Sequence, residues 1–112
     1  MAGRVVDLDA TAPAERAARL FEGEVLGVRR LAVRGGGTLR VETAPGEERV
    51  LVAVAGRGRC RSDAFEDDGP GQVFEPGRIG ILRAGEWCEV TADEVGDLVI
   101  VEVRGPELER RA

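Results

Sequence analysis

Residues 50–58, VLVAVAGRG, and residues 77–90, GRIGILRAGEWCEV, are the two stretches of this sequence that decide the fold. Each is a largely apolar run that contains β-branched residues and is bounded by glycines. β-Branched residues favour strands, and glycine supplies the backbone conformations of the turns that end them. The sequence therefore predicts two central strand regions with further strands on either side of them.

Shorter runs of the same kind lie before, between and after these two stretches. Glycine-, proline- and acid-rich segments separate them, which is typical of turns and loops. Short strands that recur about every ten residues predict an all-β sandwich or barrel. The predicted strands cover residues 4–8, 25–34, 38–43, 49–55, 58–62, 72–75, 79–82, 86–91 and 98–103.

The N-terminal part contains the one predicted helix, residues 13–21, PAERAARLF. Pro13 suits a first helical turn, and Ala17, Leu20 and Phe21 recur at helical spacing. A chain of 112 residues is long enough for one core, so we expect a single domain. Its expected parts are an N-terminal strand and short helix (1–24), a barrel (25–103) and a polar tail (104–112).

Composition excludes several classes of function. The net charge of −5 argues against a nucleic-acid partner, since phosphate binding needs a basic surface. No apolar run reaches the length of about 20 residues that a membrane helix needs, and the N-terminus lacks an apolar signal region. Two widely spaced cysteines fit a reduced, cytoplasmic protein. Because histidine is absent, the usual general base and the commonest metal ligand are missing.

From Gly37 to Val103 the order and spacing of residues resemble the cupin superfamily of small single-domain barrels. The family's first motif runs Gly, five residues, His-x-His, three or four residues, Glu, six residues, Gly. Here Gly37 is followed by TLRVE, TAP, GEE, Arg49, VLVAVA and Gly56. The glycines and the spacing match this motif, and the histidines and the glutamate do not.

The family's second motif runs Gly, five residues, Pro-x-Gly, two residues, His, three residues, Asn. Here Gly77 is followed by RIGIL, RAG, EW, Cys88 and EVTA. Arg83 stands in the place of the proline. The resemblance implies a cupin-type jelly-roll β-barrel.

In metal-binding cupins, the two histidines and the glutamate of the first motif and the histidine of the second motif hold the ion. An arginine at a ligand position puts a fixed positive charge where the cation would bind. One carboxylate and one cysteine do not make a three- or four-ligand site. The resemblance therefore implies a metal-independent barrel without a cofactor. The matching positions here hold Thr43 or Glu42, Pro45 or Ala44, Arg49 and Cys88.

Arg49 is the main candidate for a binding residue, because a guanidinium group matches the geometry of a carboxylate or phosphate. Our first hypothesis is that the barrel binds a small anionic organic molecule, with Arg49 as its anchor. The alternative is an internal salt bridge from Arg49 to Glu42 or Glu47, or a register in which Glu48 points inward. The other candidate residues of the barrel interior are Glu42, Thr43, Leu51, Ala53, Leu82 and Cys88.

Two further functions stay open at this point. One is a cupin-type isomerase, cyclase or dioxygenase with an unconventional metal set of Glu42, Cys88 and either Glu47 or Glu48. The other is a degenerate cupin that acts as a dimeric interaction module with its barrel packed shut. A missing cavity around Arg49 would favour the latter. Small cupins commonly pair, so a homodimer through the strands at 25–33 and 98–103 is expected.

The cysteines and aromatic residues have structural and functional interpretations. Cys88 is either a small apolar filler in place of the lost histidine or a nucleophile that has no imidazole base. Cys60 is expected in the core, and a disulfide between the two is the alternative. Trp87 should face away from Cys88, toward core or dimer contacts, while Phe65 and Phe74 should cover one end of the barrel.

Overall fold

The computed structural model describes residues 17–23, 26–63 and 71–106, which contain nine strands and no helix. The predicted all-β class is therefore confirmed. In chain order the strands are β1 (Ala17–Glu22), β2 (Gly27–Val33), β3 (Thr38–Glu42), β4 (Glu47–Ala55), β5 (Gly58–Ser62), β6 (Gln72–Phe74), β7 (Ile79–Leu82), β8 (Trp87–Ala92) and β9 (Leu98–Pro106).

The strands form two antiparallel sheets. The five-stranded sheet has the order β1-β2-β9-β4-β7, and the four-stranded sheet has the order β3-β8-β5-β6. Strand β9 lies between β2 and β4, so the last strand of the chain joins two strands that are distant from it in sequence. This nonlocal order brings together charged residues that are far apart along the chain.

Alternate residues of each strand fill the space between the two sheets. In β9, Leu98 and Ile100 are fully buried, whereas Val99 between them is only partly buried. Burying one such aliphatic side chain contributes roughly 1.5–3 kcal/mol, so this core accounts for much of the driving force for folding. The buried hydrophobic residues are Leu31, Val33, Val41, Leu51, Ala53, Cys60, Phe74, Leu82, Cys88, Val90, Ala92, Leu98 and Ile100.

Gly56 ends β4 in a position that only glycine can occupy. Its φ of +84° lies in the left-handed region, and a Cβ there would overlap the carbonyl oxygen of Asp97. The chain can therefore turn directly from β4 into β5, as the glycine at the end of the first motif predicts.

The predicted helix over residues 13–21 is wrong where the structure describes it. Residues 17–22 form β1, which pairs with β2 from Ala17 opposite Leu31 to Glu22 opposite Gly27. A helix of only two turns is marginal in water, whereas the edge of β2 offers unpaired backbone groups to a strand. The predicted strand at 4–8 and the first half of the helix lie outside the described residues.

The barrel is also longer than the predicted range of 25–103. Strand β1 adds one edge to the five-stranded sheet, and β9 continues to Pro106. Within the described ranges, the chain forms no helix with the length and apolarity needed to cross a bilayer.

Candidate functional site

Two neighbouring rows of side chains on the inner face of the five-stranded sheet are mostly charged. The first row runs across the strands as Glu22, Gly27, Arg104 and Arg49. The second row runs as Arg19, Arg29, Glu102 and Leu51. The third row contains Leu31, Ile100 and Ala53, so the apolar core begins where the charged rows end.

A shift in register within β1 places both Arg19 and Glu22 on the inner face of the sheet, in the second and first of these rows. The pairing with β2 is irregular between Arg19 and Phe21. In a regular strand, residues three apart point to opposite faces, so an extra residue is needed for both to face the same way. Arg19 and Glu22 both line the cavity described below, as this irregularity allows.

Glu102 is the centre of the charged rows. Its side chain is 1% exposed, and it accepts hydrogen bonds from two arginines on neighbouring strands. Arg29 binds it with Nε at 2.8 Å and Nη2 at 3.1 Å, and Arg49 binds it with Nη1 at 2.9 Å. A buried carboxylate needs such partners, because an unpaired buried charge is strongly unfavourable.

The ionisation of Glu102 follows from this geometry. Burial by itself would raise the pKa of the Glu102 carboxyl, but the hydrogen bonds and charges of Arg29 and Arg49 outweigh burial and lower it. Glu102 is therefore an anion at neutral pH.

Arg104 is held by two glutamates at the edge of the same cluster. Its Nη2 lies 2.6 Å from Glu22, and its Nη1 lies 3.4 Å from Glu47. Glu47 also accepts a hydrogen bond of 3.4 Å from Arg49 Nη2. The hydrogen bond from Arg104 to Glu22 raises the pKa of Arg104 above its usual value, so this group stays charged.

These residues surround a cavity of about 370 Å³, which we call the arginine cavity. Four arginines face three glutamates in and beside it, so the cluster has a net charge of +1. A concave site with excess positive charge attracts small anions. Its lining residues are Arg19, Glu22, Gly27, Arg29, Arg49, Glu102 and Arg104.

Arg49 is the one predicted site residue that lines the arginine cavity. Its expected salt bridge to Glu47 is present, but its main partner is Glu102 rather than Glu42. Glu48 does not point inward beside Arg49; it lies 3.9 Å from Arg83. The predicted interior location of Glu42 is wrong, because its side chain is 67% exposed and pairs with Arg40 at 2.7 Å.

The other predicted interior residues lie in the packed core and do not line the cavity. The backbone of Thr43 connects β3 to the second motif, through bonds to Glu86 and Gly85. The Thr43 hydroxyl is buried without a hydrogen-bond partner among the described residues. The buried members of the predicted set are Thr43, Leu51, Ala53, Leu82 and Cys88.

Both cysteines are free and buried, so the alternative of a disulfide is not realised. A thiol hydrogen bond links Cys88 with Cys60, and together with burial it raises the pKa of Cys88. A thiol of this kind is unreactive, as expected of a core residue. Phe74 is also in the core, Phe65 lies outside the described residues, and Trp87 is partly buried with Arg40 stacked 4.3 Å from its ring centroid.

The residues present do not fit the metal ion that metal-binding cupins hold. The position of the family's glutamate is occupied by Arg49, whose guanidinium group already binds Glu102. Glu42 lies on the outer face and Cys88 in the core, so the unconventional metal set does not converge. Across the described ranges, no three Cys, Asp or Glu side chains are grouped closely enough to hold a metal ion.

Apart from Arg49, none of the residues that line the cavity is among the predicted site residues. Glu102 had a usable signal, because it is in phase with Leu98 and Ile100 and so must face the core. Arg29 is likewise in phase with Leu31 and Val33. Arg104 is also in phase with Leu98 and Ile100, but it lies just beyond the predicted end of the last strand at residue 103. Glu22 had no such signal, because only the pairing of β1 with β2 brings it beside the cluster.

No family model and no curated protein matches the sequence. Similarity to solved structures is nevertheless extensive. A Klebsiella pneumoniae protein with a double-stranded β-helix domain is 15% identical with a TM-score of 0.75, over 94% of this chain and 91% of that one. An RmlC-like cupin protein of Methanocaldococcus jannaschii is 13% identical with a TM-score of 0.70, over 96% and 94%.

A third similar structure is KdgF from a Halomonas species. It is 12% identical with a TM-score of 0.67, over 85% of this chain and 80% of that one. All three likenesses cover at least 80% of both chains, so the similarity extends over most of the fold rather than one motif. The two glycine-bounded motifs, the two-sheet architecture and these structural neighbours together show that the chain has the cupin-type, RmlC-like jelly-roll fold.

Proposed function

We propose that this chain is a metal-independent cupin-fold protein that binds a small anionic organic molecule in the arginine cavity. The observation that carries the proposal is a cavity of about 370 Å³ around Arg49 in which arginines outnumber glutamates. Small-molecule sites are typically concave and about 300–1,000 Å³ in volume, with a few fixed polar groups. A barrel packed shut around Arg49 would have favoured the interaction module instead.

The cluster is suited to binding because its cations are already in place. Glu102 fixes the guanidinium groups of Arg29 and Arg49 on adjoining strands, so an incoming anion need not order them. Fixed charges of this kind supply both affinity and orientation for carboxylate or phosphate groups.

The proposed independence of metal is supported by donor chemistry. The guanidinium group of Arg49 would repel a metal ion, and the buried carboxylate beside it, Glu102, is already paired with two arginines. The competing hypothesis, a metal-dependent enzyme, is tested by elemental analysis of purified, untagged protein. Stoichiometric iron, manganese, nickel or zinc would overturn our proposal.

A thermal-shift screen with carboxylates and sugar phosphates tests ligand binding. At one hundred times its Kd, a ligand stabilises the folded state by about 2.7 kcal/mol. We expect at least one anion to raise the Tm of the wild type, and the same anion to leave Arg49→Ala unchanged relative to its own unliganded Tm. If Arg49→Ala does not fold, Arg49→Lys takes its place in this comparison, because lysine keeps the positive charge.

Arg40→Ala is the matched control for this screen. Arg40 also pairs with two glutamates, Glu42 at 2.7 Å and Glu89 at 3.3 Å, but on the outer face of the four-stranded sheet. It should respond to the ligand like the wild type. Equal ligand responses in wild type and Arg49→Ala would refute the role of Arg49.

We also propose that the chain forms a homodimer through the outer face of the five-stranded sheet, the sheet that contains β2 and β9 of the expected interface. Ile79 and Ile81 of the edge strand β7 are 59% and 56% exposed, and they lie opposite Val52 and Val50 of β4. Exposed apolar rows of this kind mark interaction surfaces.

Two free, buried cysteines support the further proposal of a cytoplasmic location.

A further inference from the structure

Arg49 is the least exposed of the four cavity arginines, at 17%, and two of its three nitrogens bind carboxylates within the protein. Its Nη1 binds Glu102, its Nη2 binds Glu47, and its Nε is buried with no hydrogen-bond partner in the described part of the chain. Glu102 in turn holds Arg29 through Nε and Nη2. Because Arg49 and Glu102 are the most buried charged residues of the cluster, they form the floor of the cavity and position the other groups.

The remaining cations are more accessible. The Arg29 side chain is 42% exposed, and its Nη1 is not used by Glu102. Arg19 is exposed, and its Nε lies as far as 3.9 Å from the Glu22 carboxylate, so the two form a loose ion pair. Arg104 is held by Glu22 and Glu47, which are both partly exposed and so can exchange their arginine for water.

The position of Arg104 depends on a glycine beneath it. A Cβ at Gly27 would lie 2.6 Å from Arg104 Nη2 and 3.3 Å from the Glu22 carboxylate. The guanidinium group thus lies against the backbone of β2, in space that any other residue would fill. Gly27 therefore allows Arg104 to reach across β2 to Glu22, at the wall of the cavity.

Charge and polarity restrict what can bind here. With a net charge of +1, the cluster is neutralised by a single negative charge, whereas a dianion leaves an excess of negative charge. Apart from Gly27, every lining residue is charged. An apolar ligand would take these charged side chains out of water without replacing the hydrogen bonds that they make with water. The hydroxyl groups of a polar ligand can replace those hydrogen bonds.

We propose that Arg104, with Arg19 and the open side of Arg29, contacts the ligand directly, and that the ligand is a small hydroxylated monocarboxylate. Glu22 and Glu47 act as internal counter-ions, and the ligand's carboxylate displaces Glu22 from Arg104. This inference rests on the proposed function and assigns its specificity to residues other than Arg49.

Calorimetric titration with gluconate tests the inference, with hexanoate and inorganic phosphate as comparison probes. Losing a charged hydrogen bond weakens binding by about 10- to 100-fold, so Arg104→Gln should weaken gluconate binding by that factor. Glu22→Gln should strengthen it about 2- to 5-fold, because the competing carboxylate is removed. A merely structural role of Glu22 would weaken binding instead. Wild type should prefer gluconate to both comparison probes.

Two glycine variants give an independent readout. Gly27→Ala should weaken gluconate binding by pushing the guanidinium group of Arg104 aside. Gly80→Ala, where the new Cβ would lie 3.9 Å from Leu51 Cβ in ordinary contact, should bind like wild type.

The possible failures are distinguishable. If wild type binds none of the three probes and no anion of the thermal-shift screen, the proposed function fails and this inference fails with it. If an anion of the screen binds but gluconate does not, only this inference is overturned. If wild type binds gluconate but Arg104→Gln binds it equally well, or Glu22→Gln binds it more weakly, only this inference is overturned. A preference for phosphate or hexanoate would refute the ligand class.

Discussion

Replacing Glu102 by glutamine removes the negative charge at the centre of the cluster while keeping nearly the same shape. Glu102 accepts three hydrogen bonds, at 2.8, 3.1 and 2.9 Å, from Arg29 and Arg49. A hydrogen bond to a charged group contributes about 1 kcal/mol more than one between neutral groups. Because Arg29 is 42% exposed, its share is reduced by solvent screening. We expect Glu102→Gln to lower the free energy of unfolding by about 2 kcal/mol.

Urea unfolding followed by circular dichroism measures this loss directly. The entropy of unfolding grows with chain length, and for 112 residues a loss of 1 kcal/mol lowers the Tm by about 4 °C. The expected loss of about 2 kcal/mol therefore lowers the Tm by about 8 °C. Glu89→Gln is the matched control, since Glu89 also binds two arginines, Arg61 at 2.9 Å and Arg40 at 3.3 Å, but its side chain is 30% exposed. Its shift should be several-fold smaller.

The pH dependence has a definite sign. The pKa of Glu102 is lower in the folded protein than in the unfolded chain, so its stabilising contribution is complete above the unfolded value of about 4.3. That contribution is lost as pH falls through the folded pKa. The difference in stability between wild type and Glu102→Gln should be constant above about pH 5.5 and shrink below about pH 4. A loss under about 0.5 kcal/mol at pH 7, or a difference that grows in acid, would refute this account of the cluster.

Three further predictions concern the rest of the molecule. In urea unfolding, Gly56→Ala should lower the free energy of unfolding by about 3 kcal/mol or more, and Gly46→Ala by about 1 kcal/mol. Both glycines have a positive φ, but of the two only Gly56 faces a backbone oxygen. Equal losses would contradict the close packing described for the turn at Gly56. Ile81→Glu should convert the proposed dimer to monomer in sedimentation velocity, whereas a wild type that is already monomeric would remove the dimer proposal. The two buried thiols should react with a disulfide reagent only as fast as the protein unfolds, and rapid labelling of the native state would show that they are accessible.

The positions of strands and turns could be predicted because they depend on local pattern. Apolar and polar residues alternate within single strands, and glycines mark the turns between them, so β7 was predicted with its observed limits, Ile79–Leu82. The N-terminal error has the opposite origin. Residues 17–22 form a strand because β2 offers them an edge, and no local pattern reveals that edge.

The candidate site was only partly predictable. Arg49 followed from its place in the first motif, but its partner Glu102 comes from the last strand, through the pairing of β9 with β4. The error at Glu42 was avoidable, because Glu42 follows Val41 directly and neighbouring residues of a strand point to opposite faces, so the apolar Val41 and Glu42 cannot both face the core. The rows that place Arg104 beside Glu22 depend on strand order, which spacing along the chain does not determine.

A crystal structure of the protein with gluconate, or with the anion that gives the largest thermal shift, tests the central claim most directly. We predict density for one ligand in the arginine cavity, with its carboxylate within hydrogen-bond distance of Arg104 or Arg29 and no metal ion beside Arg49. Density for the ligand elsewhere in the protein, or a metal ion bound among the residues of the two motifs, would contradict the claim.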